Sequence, residues 1–375
     1  MRKYKGAPNP ESFRDGVNCT RELQLKYFCR HKKILLMKYK LLGRSGLKVS
    51  ELCLGTMGFG TENGWGATKE VSFEIMEAFA NSGGNFLDTA NIYKLGTSEK
   101  IIGEFISSRD RDYFVLATKY SLLDNKTNPN ASGNNRKNMM RSVEASLKRL
   151  QTDFIDVFYL HIWDDLTPID EVLRGLDDLV RQGKINYIAI SDTPAWIVSK
   201  GNTIAEMMGW SQFAALQVEY SLLQRTPERD LIPMAKHFGM TLTPWAPLAG
   251  GALTGKYLRG DFGRIKEGSN RLNERSAGIT KEVVAIADEL GVQASHVALK
   301  WTMQQGFSSI PIVGATKLAQ LEENLKTPDV ILTEAHMDRL DKVSAIPLGF
   351  PGDFFKEDGV RQNNFGGFYD KIEKR

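Results

Sequence analysis

The segment that decides the fold runs from Phe114 to His161. It reads Phe114-Val-Leu-Ala-Thr-Lys119, then the amphipathic stretch Arg136–Leu150, then Phe154-Ile-Asp-Val-Phe-Tyr-Leu-His161. The two outer runs are apolar over the length of a strand, and the middle stretch has the apolar spacing of a helix. Continuously apolar strands are typical of a sheet that is covered on both faces, and a helix between two of them is typical of a parallel sheet. The segment therefore predicts a βαβ unit.

The same alternation extends over most of the chain. Predicted helices begin at a threonine cap (Thr68, Thr280) or end before a glycine in several places. The other predicted strands are the 46–54 region, Asn85–Asp88, Ile185–Ile190, Ala214–Val218, Leu242–Trp245 and Ser309–Val313; the other predicted helices include Lys69–Asn81, Ile169–Gln182, Ala195–Met208, Glu228–Phe238 and Lys281–Leu290. Eight strands that alternate with helices predict an α/β fold, a closed (β/α)8 TIM barrel with right-handed crossovers.

A doubly wound sheet of Rossmann type is the alternative fold for this alternation. That fold is usually marked by the pattern G-x-G-x-x-G after its first strand. Here the loop contains Gly58-Phe-Gly60 and Gly64-Trp-Gly66, but Asn63 and Lys69 occupy the positions of the third glycine. We therefore expect a cofactor to bind at the mouth of a barrel, at the carboxyl ends of its strands.

Charge divides the chain into a body and two short ends. The net charge of the chain is +4, residues 1–36 have a net charge of +6, and the remainder is mildly acidic, so no nucleic-acid partner is indicated. We expect residues 1–36 to be a disordered tail or a non-native extension before Met37, with a basic docking arm as the alternative. Residues 37–345 are the predicted barrel. Residues 346–375 are predicted to be a loop over the barrel mouth, with a disordered surface tail as the alternative.

Composition excludes several other classes of protein. No run of 18 uninterrupted apolar residues is present, so no membrane-spanning segment is predicted. The three cysteines, Cys19, Cys29 and Cys53, form neither a disulfide framework nor a zinc-binding spacing, which fits a reducing compartment. We expect a cytoplasmic protein without a bound metal.

Reactive side chains stand at the predicted strand ends. Asp88 ends the second strand and is followed by Tyr93, Lys119 ends the third strand, and His161 ends the fourth. Because the active site of a TIM barrel lies at the carboxyl ends of its strands, we expect these four side chains to meet. Alone, each is more often a structural residue; together they suit a specific reaction.

That reaction is the reduction of a carbonyl group, which needs a proton donor for the developing alkoxide. A tyrosine is a weak acid, with an ordinary pKa of about 10. A neighbouring lysine ammonium is expected to lower that pKa, and a buried aspartate to keep the lysine charged. A histidine N–H that points at the carbonyl oxygen polarises and orients it.

Five segments, spread over roughly residues 38–345, resemble the aldo-keto reductases. Two of them read Asn85-Phe-Leu-Asp-Thr-Ala-Asn-Ile-Tyr93 and Trp245-Ala-Pro-Leu-Ala-Gly-Gly-Ala-Leu-Thr-Gly-Lys-Tyr257; the others are residues 41–50 with 54–60, residues 117–119 and residues 156–161. Within the family, residues 191–200 and 228–234 resemble the aryl-alcohol-dehydrogenase-like branch.

The resemblance implies NADPH-dependent reduction of aldehydes or ketones, with aromatic or apolar carbonyl compounds as the small-molecule substrates. It makes Tyr93 the proton donor, Lys119 and Asp88 the residues that tune it, and His161 the residue that orients the carbonyl. The implied cofactor contacts are Gly55, Thr56, Met57, Ser191, Asp192, Gln217, Trp245, Pro247, Leu248, Lys256, Arg271, Gly314, Thr316, Lys317, Gln320, Glu323 and Asn324.

Individual roles follow from the same resemblance. Ser191, Asp192 and Gln217 would hold the carboxamide, and Trp245 would stack on the nicotinamide. Asp192 departs from the asparagine that is common at this position. A 2′-phosphate would be met by cationic side chains, which favours NADPH over NADH; these are Lys317 and Arg271.

Three aromatic residues near the strand ends are predicted to form the wall of an apolar substrate pocket, with core packing as the alternative: Phe59, Trp65 and Trp163.

Two other functions stay open on the sequence. A Schiff-base aldolase would use Lys119 as its nucleophile, but that chemistry needs neither Tyr93 nor a nucleotide-phosphate site. A nicotinamide-sensing regulatory subunit, like the channel β-subunits that share this fold, would turn over slowly and bind a stable protein partner.

Overall fold

One parallel sheet organises the chain. The structure, a computed structural model, describes residues 37–261, 263, 265–266 and 268–373, so the predicted N-terminal tail lies outside the described residues. The sheet contains, in the order of the chain, β3 (Cys53–Gly55), β4 (Phe86–Asp88), β5 (Val115–Tyr120), β6 (Ile155–Leu160), β7 (Ile185–Ser191), β8 (Phe213–Gln217), β9 (Thr241–Leu242) and β10 (Ile312–Gly314). Each strand pairs in parallel with the next, and β10 pairs with β3.

Backbone hydrogen bonds join the two ends of this order. The amide of Ile310 donates to the carbonyl of Leu242 at 2.9 Å, and the amide of Ile312 donates to the carbonyl of Pro244 at 2.9 Å. The residues that lead into β10 therefore continue the sheet from β9. The predicted (β/α)8 barrel is confirmed, and the Rossmann alternative is wrong.

Helices connect the strands, and most of the predicted ones are present. They are α1 (Lys69–Asn81), α2 (Thr97–Ile106), α3 (Arg136–Leu150), α4 (Ile169–Arg181), α5 (Ala195–Met208), α6 (Leu231–His237), α7 (Glu274–Leu290), α8 (Ala294–Met303), α9 (Leu318–Asn324), α10 (Glu334–Ser344) and α11 (Asp358–Phe365). The predicted start of α7 at Thr280 is wrong, because Asn273 and Ser276 form a capping box about two turns earlier. Among the described residues, no helix has the length and apolarity that crossing a membrane requires.

The strands separate two apolar cores. Alternate side chains point into the barrel, such as Val157 and Tyr159 of β6, whereas Phe158 points out towards the helices. The amino ends of the strands are covered by a hairpin of β1 (Tyr39–Leu41) and β2 (Lys48–Ser50). Because this hairpin covers one end of the barrel, the predicted ligand site lies at the opposite end, the mouth.

The C-terminal segment differs from the prediction. A helix, α11, lies where a loop without helical periodicity was predicted, and it buries none of its residues. A helix without a buried face has no need of an apolar stripe, so periodicity did not reveal it. That residues 346–375 cover the barrel mouth stays a prediction.

Candidate active site

A buried ion pair forms the centre of the mouth. Lys119, at the end of β5, has no exposed side-chain surface, and its Nζ lies 2.6 Å from Oδ1 of Asp88 at the end of β4. The same ammonium donates to the carbonyl of Thr89 at 2.7 Å and lies 3.2 Å from the hydroxyl of Tyr93. Three of the four side chains predicted to be catalytic are therefore connected through one cation.

These contacts settle the charge of the lysine. Burial alone would lower the pKa of Lys119, but Asp88 and Tyr93 outweigh burial, so this pKa is raised. Lys119 is therefore an ammonium at neutral pH. A charged amine has no lone pair to attack a carbonyl, which argues against the aldolase alternative.

The pKa of Tyr93 differs from the prediction. Burial raises the pKa of Tyr93 above its ordinary value, while the Lys119 ammonium acts in the opposite direction without overcoming burial. The expectation of a net lowered pKa is wrong for the protein without ligands. Since removing the hydroxyl from water disfavours the phenolate, Tyr93 carries its proton at neutral pH.

Gln217 contacts Asp88, which the sequence did not indicate. We predicted that Gln217 would hold a carboxamide, but its Nε2 donates to Oδ2 of Asp88 at 3.0 Å. Both carboxylate oxygens of Asp88 are thus engaged, one by Lys119 and one by Gln217. The two residues are 129 positions apart in the chain, so only closure of the barrel brings them together.

His161 completes the group of four. Its ring lies 5.9 Å from the ring of Tyr93, centre to centre, in an edge-to-face arrangement. Burial, with a smaller contribution from Lys119, lowers the pKa of His161 to about 3. Its Nδ1 is buried and has no hydrogen-bond partner among the described residues. A proton on Nδ1 would be a buried N–H without an acceptor. We therefore assign the neutral ring with its proton on Nε2.

This assignment predicts the pH dependence of catalysis. Because the pKa of His161 is far below its ordinary value of about 6.5, the ring stays neutral as the pH falls from 8 to 5. We expect kcat/KM for carbonyl reduction to show no acid limb from His161 in this range. The measurement is a pH profile of the wild type beside the variant His161→Asn. An acid limb with an apparent pKa near 6 that disappears in the variant would contradict the assignment.

A buried hydroxyl marks the place for a polar ligand group. The Oγ of Ser191, at the end of β7, is buried and without a hydrogen-bond partner among the described residues. Buried polar groups are normally satisfied, so this hydroxyl fits the amide of a nicotinamide. Its neighbour Asp192 is engaged differently, because Trp245 donates its indole N–H to Oδ1 of Asp192 at 3.1 Å. Asp192 therefore orients Trp245 at the mouth.

The loop after β9 contains the residues predicted to contact the pyrophosphate. Its backbone is tightly turned, with positive φ at Ala246, Ala249, Gly250 and Gly251. Lys256 approaches this loop, since a Cβ on Gly251 would lie 3.2 Å from its Nζ. Pro247 is buried beneath and Leu248 is half-buried. Arg271 approaches Gly250 and pairs with Glu219 at 2.5 Å.

The segment after β10 closes the mouth on the other side. Gly55 and Gly314 are paired at the ends of β3 and β10, and a Cβ on Gly58 would lie 2.9 Å from the methyl group of Thr316. Thr56 is buried, and Met57 is exposed. The Oε1 of Gln320 accepts hydrogen bonds from Thr316, which holds the turn that starts α9.

Lys317 caps that helix and is exposed. Glu323 pairs with Lys326, and Asn324 is buried.

The three aromatic residues predicted to line the substrate pocket lie in different environments. Phe59 is fully buried among apolar residues of the outer core, which favours the alternative of core packing for this residue. Trp163, two residues after His161, is half-buried. Trp65 is 40% exposed. These two indoles remain as candidate walls of the cleft.

Comparison with known proteins identifies the family of this chain. The model of the aldo/keto reductase family matches residues 51–345. An aryl-alcohol dehydrogenase [NADP(+)] of Phanerodontia chrysosporium is 38% identical, covering 87% of this chain and 91% of that protein. Norsolorinic acid reductase B of Dothistroma septosporum is 39% identical, covering 85% and 84%, and norsolorinic acid reductase of Aspergillus flavus is 36% identical, covering 86% and 85%. The chain therefore belongs to the aldo/keto reductase family of NAD(P)H-dependent oxidoreductases.

Proposed function

We propose that this protein uses NADPH to reduce aromatic aldehydes or ketones to alcohols, with Tyr93 as the proton donor. The observation that carries the proposal is the continuous contact from Asp88 through Lys119 to the Tyr93 hydroxyl, beside His161. This arrangement holds a protonated phenol and a neutral imidazole at the place where a carbonyl oxygen would lie. The aromatic substrate class is supported by the aryl-alcohol dehydrogenase relative and by the exposed indole of Trp65.

In the proposed mechanism, each residue acts on the carbonyl oxygen or on the proton. The bound reduced nicotinamide supplies a hydride for the carbonyl carbon. Tyr93 transfers its hydroxyl proton to the oxygen as negative charge develops there, and Lys119 stabilises the phenolate that remains. His161 donates its neutral N–H to the same oxygen and so orients the substrate. Asp88 and Gln217 keep the Lys119 ammonium in place.

The cofactor would lie across the mouth. Ser191 would satisfy its buried hydroxyl on the carboxamide, and Trp245 would stack on the nicotinamide ring. The positive-φ backbone after β9, with Lys256, fits a pyrophosphate. We propose that Lys317, rather than Arg271, meets the 2′-phosphate, because Glu219 already neutralises Arg271.

The function is tested by mixing the purified protein with NADPH and a nitro-substituted benzaldehyde and following the loss of absorbance of the reduced cofactor. We expect cofactor oxidation that depends on the aldehyde and saturates with it. Tight NADPH binding without oxidation across a panel of aryl carbonyl compounds would favour the regulatory alternative. Failure to bind either NADPH or NADH would contradict the cofactor site altogether.

Cofactor preference gives a separate prediction. The variant Lys317→Ala is expected to bind NADPH about tenfold more weakly, because one charge-assisted contact to phosphate is lost. Binding of NADH, which has no 2′-phosphate, should stay unchanged. Titration by quenching of tryptophan fluorescence measures both constants. The control is Lys342→Ala, which removes an exposed lysine in the last turn of α10. An equal loss for both cofactors in Lys317→Ala would show that this side chain does not read the phosphate.

A further inference from the structure

Lys94 follows Tyr93 directly in the chain, yet the proposed mechanism does not use it. The residue is only 5% exposed. Its ammonium donates to the backbone carbonyl of Glu62 at 2.9 Å and to that of Trp65, and it lies 3.6 Å from the centre of the Trp65 ring. Since burying a charge is costly unless its surroundings stabilise it, this set of contacts indicates a specific role.

The two carbonyls belong to the loop of residues 59–67, which follows β3 at the mouth. The base of this loop is closed by its own backbone, because the amide of Gly60 donates to the carbonyl of Ala67 at 2.9 Å. Its tip is largely exposed and includes Trp65. Lys94 therefore fastens the tip of the loop to the body of the barrel.

The backbone at this point is strained. Lys94 has a φ of +51° and Leu95 a φ of +55°, in the left-handed region that residues with a Cβ rarely adopt. The Leu95 side chain is 77% exposed, so packing of that side chain does not explain the conformation. Strained conformations persist where surrounding contacts impose them, and they are concentrated at functional sites. The strained turn, Lys94-Leu95, directly follows Tyr93, the proposed proton donor, and it includes the residue that holds the loop.

We propose that Lys94 is a specificity-determining positioning residue of this active site. Its ammonium holds the Trp65 indole at the edge of the substrate cleft, in the loop that follows β3, where the ring stacks on flat aryl carbonyl compounds and contributes nothing to small aliphatic ones. Aromatic rings that pack in offset or edge-to-face geometry stabilise each other beyond simple burial, provided that their orientation is fixed. The inference rests on the proposed function, because it assigns a substrate class to the same site.

The decisive variant is Lys94→Met, which keeps the length of the side chain and removes the charge. We expect KM for a nitro-substituted benzaldehyde to rise about tenfold, with kcat changed by less than about twofold, and KM for propanal to stay the same. The matched control is Lys184→Met, which removes an ammonium paired with Glu144 at the amino end of β7, away from the mouth. The control should leave every constant unchanged.

Two further variants distinguish the contact between Lys94 and Trp65 from the strained backbone as the cause of the effect on KM. Trp65→Ala should raise KM for the aryl aldehyde as Lys94→Met does, and the double variant should show no additional increase, because both changes remove one interaction. Lys94→Gly relieves the positive φ and also lacks the ammonium, so its KM should match that of Lys94→Met. Recovery of wild-type KM in Lys94→Gly would overturn the proposal, since backbone geometry alone would then account for the effect.

Amide hydrogen exchange does not depend on catalysis, so it tests this inference independently of the proposed function. Amide hydrogen exchange in residues 59–67 should accelerate in Lys94→Met and stay as in the wild type in Lys184→Met. If the wild-type protein reduces no carbonyl compound, the proposed function fails, and faster exchange still supports the positioning role. If the wild type reduces the aryl aldehyde but Lys94→Met alters KM for both aldehydes alike, or leaves loop exchange unchanged, the inference is wrong while the proposed function stands.

Discussion

The variant Tyr93→Phe is expected to reduce the aryl aldehyde about 10²- to 10⁴-fold more slowly than the wild type, which is the range of a general acid. The phenylalanine ring preserves the edge-to-face contact with His161 and removes only the hydroxyl that lies 3.2 Å from Lys119. Without that hydroxyl, the developing alkoxide has no proton donor at this distance. Binding of NADPH should be unchanged, so steady-state kinetics and fluorescence titration together give the result.

A matched control is available within the chain. Tyr120 is also buried, and its hydroxyl donates to the carbonyl of Asn134 at 3.3 Å, so Tyr120→Phe makes the same chemical change at a structural position. We expect that variant to keep near wild-type turnover. Retention of more than half of the activity in Tyr93→Phe would place the proton donor elsewhere, with His161 or a water molecule as the next candidates.

The meeting of the four proposed catalytic side chains could be predicted because their positions follow from local patterns. Asp88, Lys119 and His161 each end or directly follow an apolar run, and parallel strands place all their carboxyl ends at one face. The apolar runs are the strands themselves, which makes their last residues identifiable. The contacts at 2.6 Å and 3.2 Å around Lys119 then follow from the barrel geometry.

Features that depend on distant parts of the chain were not predictable in this way. Gln217 contacts Asp88 across 129 residues, and Lys94 contacts carbonyls 29 and 32 residues away. A backbone carbonyl belongs to every residue type, so no pattern of side chains marks the partners of Lys94. The raised pKa of Tyr93 depends on how deeply its hydroxyl is buried, and residue types alone do not determine depth.

Pocket residues were the least predictable part of the site. Phe59 and Trp65 lie six positions apart in the same loop, yet one is fully buried and the other is 40% exposed. Large aromatic side chains suit both a core and a ligand pocket, so their type does not distinguish the two.

The variant Lys119→Met is expected to lower both turnover and stability. It leaves the Asp88 carboxylate buried with Gln217 as its remaining side-chain donor, and removing one partner of a buried ion pair costs about 3–5 kcal/mol of the free energy of unfolding. Denaturation by urea measures this loss. Lys184→Met, which breaks an exposed pair, should cost no more than about 1 kcal/mol. The folded-state pKa of Lys119 is raised, so the contribution of the Lys119 charge is complete below the unfolded pKa of about 10.4 and is lost as pH rises through the higher folded value.

Adding Asp88→Asn to Lys119→Met distinguishes the effect of the ion pair on stability from its effect on turnover. The double variant has no buried charge left without a partner, and replacing both members of a buried pair with neutral groups is often close to neutral for stability. We therefore expect most of the lost unfolding free energy to return. Turnover should stay low, because the ammonium that opposes the burial-raised pKa of Tyr93 is still absent. If turnover returned together with stability, the Lys119 ammonium would be a structural group, and proton transfer from Tyr93 would not depend on it.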